Sequence, residues 1–399
     1  MKLSTNKKFI LYLLAAMNFV HIVDFMIMMP LGDYLMKLFE ISPAQFGALV
    51  SAYTFSAGIS GFFAAFFIDR FDRRKAILTA FSGLVAGTFL IALANSYALL
   101  IAARIFTGLF GGLIGTLVLS MVSDLFSFQE RGRAMGIVTT AFAFASVVGV
   151  PLGLYLASKL QWHAPFVFLG VVGTLLLIAA WRILPPFTEH LQSQTKRNPL
   201  QVLSTVAKDK NQLRALALST FIVLGQFMVI PFLAPYMIRN VGFTPETITL
   251  IYMLGGGAVV FSGPQVGKLT DRIGAKKVFV IFMLLSFIPL LIITHLPQTS
   301  IYIALIFSTL FFIFVNGRIV PAQTLTTAAV HPATRGSFMS FQASLQQLSA
   351  SLAAFLSGLI LVENELGFFE NYNWVGYTSV LISSVSLFIV PRLKVAEGN

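Results

Sequence analysis

Long apolar runs, one after another, constrain this chain more than any other feature. Twelve stretches of about 20 residues pass with almost no charged side chain. Such a run, coiled at about 1.5 Å per residue, matches the roughly 30 Å hydrocarbon layer of a bilayer. Helical spans are expected at 9–31, 45–67, 76–95, 98–124, 134–158 and 165–184, and again at 212–238, 246–268, 277–296, 301–328, 337–361 and 373–391. Only 11% of the residues are charged, against about 25% in soluble domains. A transmembrane barrel is a poor match, because its strands alternate apolar and polar residues over about ten positions. The fold class predicted is an all-α membrane protein with 12 transmembrane helices.

Met1-Lys2 and Lys7-Lys8 ahead of the first run resemble the start of a signal peptide. That run reaches about Leu31 and ends on no small-residue cleavage site, so it is read as the first span. Pro185–Asn211, with Pro185, Pro186, Lys196, Arg197, Lys208 and Lys210, is a polar interruption at mid-chain. It divides the sequence into a first bundle at 1–184, a cytoplasmic linker at 185–211 and a second bundle at 212–399. Basic residues collect on the cytoplasmic side of membrane proteins. With the N-terminus cytoplasmic, all of the 27 Lys and Arg obey this except Lys37, Lys159 and Arg239, outside, and Arg104 and Arg318, within spans. Both termini are then cytoplasmic, in a cell (inner) membrane. The net charge of +12 reads as a topology signal, with anionic lipid as a possible contact, and not as a sign of nucleic acid. The chain has no cysteine, so disulfides and thiolate metal sites are excluded. No metal site and no nucleophile–base set stands out, and an enzyme is not expected.

The halves repeat one another. Ala65-Phe66-Phe67-Ile68-Asp69-Arg70-Phe71-Asp72-Arg73-Arg74-Lys75 returns as Gly267-Lys268-Leu269-Thr270-Asp271-Arg272-Ile273-Gly274-Ala275-Lys276-Lys277, and Glu130-Arg131-Gly132-Arg133 returns as Thr334-Arg335-Gly336-Ser337. The second copy fits G-x-L-x-D-R-x-G-x-K-K, while the first has Ala65 and Asp72 in place of glycines. The pair resembles the loop signature of the major facilitator superfamily of secondary transporters, found between helices 2 and 3 and between helices 8 and 9. Arg104-Ile105-Phe106-Thr107-Gly108 is similar to the R-x-x-x-G of helix 4 in proton-coupled members. Gly149-Val150-Pro151-Leu152-Gly153 resembles the helix-5 signature of drug:proton antiporters, with Val150 inserted; a plain packing kink is the other reading. The texture is that of the 12-span drug:proton antiporter family 1, arabinose-efflux-permease-like. The resemblance implies the major facilitator fold, two pseudo-symmetric six-helix bundles with a site between them at mid-membrane.

Charges inside spans cost roughly 2.5–3.5 kcal/mol on insertion scales, so each needs a reason. Asp24 and Arg104 lie about seven and six residues from the outer ends of spans 1 and 4, at similar depth. Met17, His21, Asp24 and Met28 share one helical face; if that face lines a cavity, Asp24 and Arg104 can pair. A carboxyl group in low dielectric gains by taking a proton, and a guanidinium beside it opposes this. Asp24 is therefore the candidate proton-coupling residue and Arg104 its modulator; a static ion pair is the competing reading. His21, one turn away, either relays protons or satisfies a helix contact. Arg318 has no acid partner in its half, and is either a ligand contact or bonded to carbonyls at the break made by Pro321. Gly108, Gly111, Gly112 and Gly115 read as helix packing. Further candidates for substrate contact are Asn18, Met28, Gln226, Asn316, Gln342 and Gln346, with Met26, Met29, Met228 and Phe227 as a soft apolar wall.

By resemblance, spans 1, 4, 7 and 10 line the cavity. Asp69, with Arg70 beside it, would cap the start of span 11 near Ser337–Phe341, Arg73 would bridge to Asp124 on span 4, and Asp271 and Arg272 would mirror this near Gly132. These are the gating candidates; topogenic loop charge is the simpler alternative. The function expected is proton-coupled efflux of small amphipathic molecules or drugs by alternating access. The proton gradient serves as energy source and no cofactor is needed; the partners are a small-molecule substrate, protons and the lipid bilayer, with the protein a monomer. The rival is an exporter or facilitator of an anionic metabolite, sugar or lipid, using Arg318 and Arg104. A non-transporting membrane sensor is the least favoured.

Overall fold

The computed structural model describes residues 5–188, 206, 208–330 and 335–396. Most of the expected linker, the Asp69 side chain and that of Ser337 fall outside the described part. Twelve helices are long and apolar enough to cross a membrane: Lys7–Ile27, Pro43–Ala64, Arg73–Ala92, Tyr97–Leu125, Glu130–Lys159, Ala164–Ile183, Lys210–Val241, Thr249–Ile273, Ala275–His295, Ile301–Ala328, Phe338–Ile360 and Tyr372–Arg392. They are numbered here as spans 1 to 12. An even number of crossings puts residues 7 and 392 on one face, called here the terminal face; the opposite one is the far face.

The largest departure from expectation is at the end of span 1. It stops at Ile27 rather than near Leu31, and a short helix, Gly32–Leu38, follows across the far face. Pro30 has no N–H to continue the ladder. Span 2 then begins with a capping box: Gln45 N–H donates to Ser42 Oγ (3.3 Å) and Ser42 N–H donates to Gln45 Oε1 (2.9 Å). Pro43 follows at the first helical position, where its missing N–H costs nothing.

Span 5 carries a π-turn, Ala145–Gly149, directly before Pro151. Val150 N–H donates to Ala145 O, one residue further back than in an α-helix. Widening of this kind accommodates a proline in mid-helix. The two glycines of the same motif face span 1: a Cβ on Gly153 would sit 2.6 Å from Ile27 Cδ1, and one on Gly149 would collide with Val23.

The halves meet along two seams. Span 2 runs antiparallel to span 11 from face to face. Gly47 and Gly358 lie so close that a Cβ on Gly358 would be 2.7 Å from Pro43 O and 3.1 Å from Gly47 Cα. Ser51 Oγ donates to Ser351 O (2.7 Å) and Ser351 Oγ donates to Ser51 O (3.1 Å). Phe62 and Phe66 pack on Phe341 near the terminal face. Small residues allow this approach where no hydrophobic effect drives helices together. The second seam is shorter: a Cβ on Gly256 of span 8 would be 2.9 Å from Ser146 Cβ of span 5. Towards the terminal face, Cβ atoms on Gly132 and Gly136 of span 5 and on Gly263 and Gly267 of span 8 would meet nothing within 4 Å among the described residues.

The far face is clamped by charge. Arg239 lies in the last turn of span 7, and its Nε donates to Asp33 Oδ1 of the first half (2.6 Å), while Nη1 pairs with Glu363 Oε1 (2.7 Å). A two-stranded ribbon between spans 11 and 12, β1 Val362–Glu363 and β2 Phe369–Glu370, supplies Glu363 and sets the Phe369 ring under the guanidinium at 4.5 Å. Asn240 holds Phe369 by two backbone bonds, 2.9 and 3.0 Å. Lys37 adds a second cation to Asp33 at 3.0 Å. Arg239 thus has a reason for lying among the acids of the far loops.

With no native cysteine, these contacts can be trapped cleanly. The double variant Ser51→Cys, Ser351→Cys is expected to cross-link in membranes under mild oxidation, read as a gel-mobility shift after cleavage of the mid-chain linker. Adding Arg239→Ala, which unfastens the far clamp, should lower the yield several-fold. Absence of any cross-link would show that this seam is not the resting arrangement.

Candidate functional site

A cavity of about 270 Å³ lies between the halves. Span 1 lends it Phe25, Met26 and Met29, span 5 lends Phe142, Ala143 and Ser146, and span 7 lends Ser219, Gln226, Phe227 and Ile230. Spans 8 and 10 add Tyr252, Gly256, Phe312, Asn316 and Gln323, and span 11 adds Gln342 and Gln346. A neighbouring void of about 420 Å³ shares Phe25, Phe142, Phe227 and Gln346 and extends to His21 and to Gly111, Gly112 and Gly115 of span 4. The four-span wall implied by resemblance is thus only part of the lining: spans 1, 7 and 10 contribute, span 4 reaches only the side void, and spans 5, 8 and 11 complete the chamber.

The candidate residues divide between lining and interior. Gln226, Asn316, Gln342 and Gln346 line the cavity, as do Met26, Met29 and Phe227. Met28 and Met228 are fully buried in helix packing, and Asn18 donates to Val138 O at 3.4 Å, away from both voids. The face formed by Met17, His21, Asp24 and Met28 does not line the main cavity. It turns into the first bundle, where Met17, Asp24 and Met28 are all fully buried, and only His21 reaches the side void.

Asp24 and Arg104 meet in that interior, both side chains at 0% exposure. Arg104 Nη1 donates to Asp24 Oδ2 (3.4 Å) and to the Asp24 carbonyl (3.3 Å). Thr88 of span 3 lies within hydrogen-bond reach of Asp24 Oδ1 (2.8 Å) and of Leu84 O (2.9 Å). The guanidinium stacks on the ring of Tyr53, 4.4 Å from its centroid, and the Tyr53 hydroxyl lies 3.1 Å from His21 Nδ1. Span 2 approaches because span 4 is bare here: a Cβ on Gly108 or Gly111 would strike the Tyr53 carbonyl or hydroxyl. A Cβ on Gly112 would strike Ala57, whereas one on Gly115 would meet nothing within 4 Å. Three of the four glycines pack helices and the fourth opens on the void. Thr88 and Tyr53 were not among the sequence candidates. Their signal is a hydroxyl at the depth of Asp24 and Arg104 on a neighbouring span.

A hydroxyl has one proton and can also accept. With Asp24 ionised, Thr88 donates to Oδ1. With Asp24 protonated, the acid donates to Thr88 Oγ1, and Thr88 turns its proton to Leu84 O. Both protonation states are thereby hydrogen-bonded without moving a heavy atom. Arg104 keeps its charge in either case, with Tyr53 and the Asp24 carbonyl still in contact.

Arg318 is also fully buried, with Nη1 near Met283 Sδ (3.2 Å) and Ser286 Oγ (3.3 Å) on span 9. It does not line the cavity, although Asn316 and Ile319 do. On the terminal face, Arg73 Nε pairs with Asp124 Oδ2 at 2.8 Å. Asp72, the departure from the loop pattern, caps span 3 through Arg74 N–H (2.9 Å) and accepts from Phe187 N–H (2.9 Å). Arg70 is exposed. Among the described residues the mirrored contact expected near Gly132 is not seen: Asp271 and Arg272 are exposed, and a Cβ on the glycines of spans 5 and 8 at this end would meet nothing within 4 Å. Their neighbour Lys276 instead donates to the carbonyls of Pro391 (3.1 Å) and Leu393 (2.7 Å).

The model of the Major Facilitator Superfamily matches residues 14–224 and 215–398. The chain is 25% identical over 382 residues to the uncharacterized MFS-type transporter YbcL of Bacillus subtilis, covering 95% of each. It is 23% identical over 257 residues to a probable sugar efflux transporter of Helicobacter pylori, 64% of each chain. It is also 25% identical over 291 residues to Multidrug resistance protein 2 of B. subtilis, 69% of this chain and 71% of that one. Among solved structures, a bacterial homologue of the human lysosomal transporter Spinster superposes with a TM-score of 0.78 at 17% identity, covering 98% and 97% of the two chains. A D-xylose–proton symporter gives 0.76 at 16% identity, covering 95% and 96%.

Removing one partner of a buried ion pair costs about 3–5 kcal/mol, because the other charge is stranded. Asp24→Leu and Arg104→Leu are each expected to lower thermal stability sharply, and the double variant to recover most of the loss. Unfolding of the four purified proteins forms the double-mutant cycle; simple additivity would show that the two side chains do not interact.

Proposed function

Because this chain belongs to the Major Facilitator Superfamily of transporters, we propose that it is a proton-driven exporter of small amphipathic molecules, with Asp24 as the coupling carboxylate. Transporters of this superfamily are multi-pass membrane proteins moving small molecules, and not enzymes. The observation that carries the finer reading is the sealed Asp24–Arg104 pair, with Thr88 placed to satisfy either protonation state. A structural pair would also need its free oxygen bonded; what suits coupling is that the Thr88 hydroxyl can turn from donor to acceptor. Relatives named for sugar efflux and for multidrug resistance support export of small molecules.

In this reading the terminal face is cytoplasmic on charge grounds, in the cell (inner) membrane. The protein acts as a monomer and uses the proton gradient in place of a cofactor. A proton from outside neutralises Asp24 by way of His21 and Tyr53, which stand between it and the side void. The neutral carboxyl no longer holds Arg104 by charge, which weakens the closed arrangement, and the halves rock about the span 2–span 11 seam. Breaking Asp33–Arg239 opens the far face. Arg73–Asp124, with Asp69, Arg70, Asp271 and Arg272, serves the opposite gate. Export of an anion through Arg318 and Arg104 finds no support in the geometry, since neither side chain reaches the cavity.

Proton flux in liposomes of purified protein under an imposed pH gradient tests the reading. Substrate-triggered flux is expected in the wild type, and at least a tenfold loss in Asp24→Asn. Thr88→Val should lose coupling in the same way while Thr88→Ser keeps it, because only the hydroxyl matters. Undiminished coupled flux in Asp24→Asn would end the proposal.

A further inference from the structure

We infer that the cavity selects uncharged molecules that have an apolar face and a hydrogen-bonding edge, and that the edge docks on amides of the second half. The inference rests on the exporter reading and narrows its substrate class. Among the described residues no charged side chain lines the main cavity. The carboxylate and guanidinium groups at membrane depth in spans 1, 4 and 10, those of Asp24, Arg104 and Arg318, are fully buried behind its walls, and His21 faces only the side void. An ionic ligand would give up its hydration there and meet no counter-charge.

The walls differ. Phe25 and Met29 on the first half offer only carbon and sulfur, a deformable surface for a ring or alkyl face. On the second half, Gln226 and Gln346 make no side-chain hydrogen bond among the described residues. Gln342 Nε2 donates to Ser219 Oγ (2.7 Å) and Asn316 Nδ2 donates to Phe312 O (3.0 Å), which leaves both carbonyl oxygens open. Amides donate and accept, so these four match an edge of hydroxyls or amides, whose groups also do both. Amides left unpaired by a ligand without that edge would make it bind poorly. The amides all stand on the second half, among apolar side chains such as Phe227, Ile230 and Phe312, and the first half opposes them with an almost wholly apolar wall, so a two-faced ligand touches both halves at once.

Two matched series test this by calorimetric titration of the full-length protein in nanodiscs, at a mildly acidic pH that keeps every amine protonated and every carboxylate ionised. The first is phenyl β-glucoside, phenyl β-glucuronide and phenyl 2-amino-2-deoxyglucoside. The second is 3-phenoxypropane-1,2-diol, 2-hydroxy-3-phenoxypropanoate and 1-amino-3-phenoxypropan-2-ol. The neutral member is expected to bind at least tenfold tighter than either charged analogue in one series or both. Gln226→Leu and Gln346→Leu should weaken it at least fivefold at unchanged Tm. Gln226→Glu should turn the preference towards the ammonium compound, a gain that misfolding cannot imitate. Charged members binding as tightly as neutral ones, no binding by either neutral member, or indifference to both Leu variants would overturn the inference. Binding needs neither a gradient nor turnover. Loss of proton coupling with selective neutral binding intact would therefore sink the exporter mechanism alone, while charged ligands driving flux through an intact Asp24 would sink only the substrate class.

Discussion

Arg104 carries a permanent charge at a fully buried place, and the packing of the first half answers that charge. Asp24 of span 1 neutralises it, the face of Tyr53 lies against it, and glycines on span 4 admit span 2 close enough for the ring contact. Arg318 poses the same problem in the second half and meets a weaker answer. A thioether and a hydroxyl face one nitrogen and no carboxylate pairs with it among the described residues, whereas Nε and Nη2 lack a hydrogen-bond partner in both arginines. Two bundles of one fold are therefore chemically unequal. The acid that can take up a proton is in the first, and most of the hydrogen-bonding groups that face the cavity are in the second.

Such a division needs a physical connection. The Arg104 guanidinium rests on Tyr53, Tyr53 stacks on Phe25 at 5.2 Å, and Phe25 meets Phe227 of the second half at 6.1 Å. Phe25 follows Asp24 directly in the chain, so one peptide step separates the sealed carboxyl from the cavity wall. Contiguity by itself is only a route; coupling requires an element with two arrangements. In the proposed mechanism Thr88 would be such an element at the level of one proton, and the Asp33–Arg239 clamp, made or broken, another at the level of the halves.

The spans were legible in the sequence because length and hydropathy are properties of each run alone. The pairing of Asp24 with Arg104 was legible as well, since depth follows from counting residues and two charges at one depth in a bilayer have few alternatives. Which way a face points was not. In water the apolar face turns inward; in lipid both sides of a helix are apolar, and spacing groups residues without orienting them. Met17, Asp24 and Met28 were grouped correctly and lie in the bundle, while Phe25, Met26 and Met29 took the cavity. The far clamp was hidden for a different reason: Asp33 and Arg239 are distant in the chain, and only the misfit of a basic residue among outer acids marked it. The early end of span 1 could have been read from Pro30.

Span 5 is where these parts meet mechanically. Through Gly149 and Gly153 it lies against Val23 and Ile27, the residues on either side of Asp24 along span 1. Through Ser146 and Val147 it lies against Gly256 of span 8 in the other half. Between those contacts its backbone has a π-turn and a proline, which remove regular hydrogen bonds from the middle of the helix. The span 2–span 11 seam has no such interruption and is paired from face to face, the character of a pivot. In the proposed mechanism, a shift of span 1 on protonation of Asp24 would have an uninterrupted seam to turn about and a yielding one to work through. In span 5 the yielding segment lies against both the helix that carries the acid and the half that carries the amides.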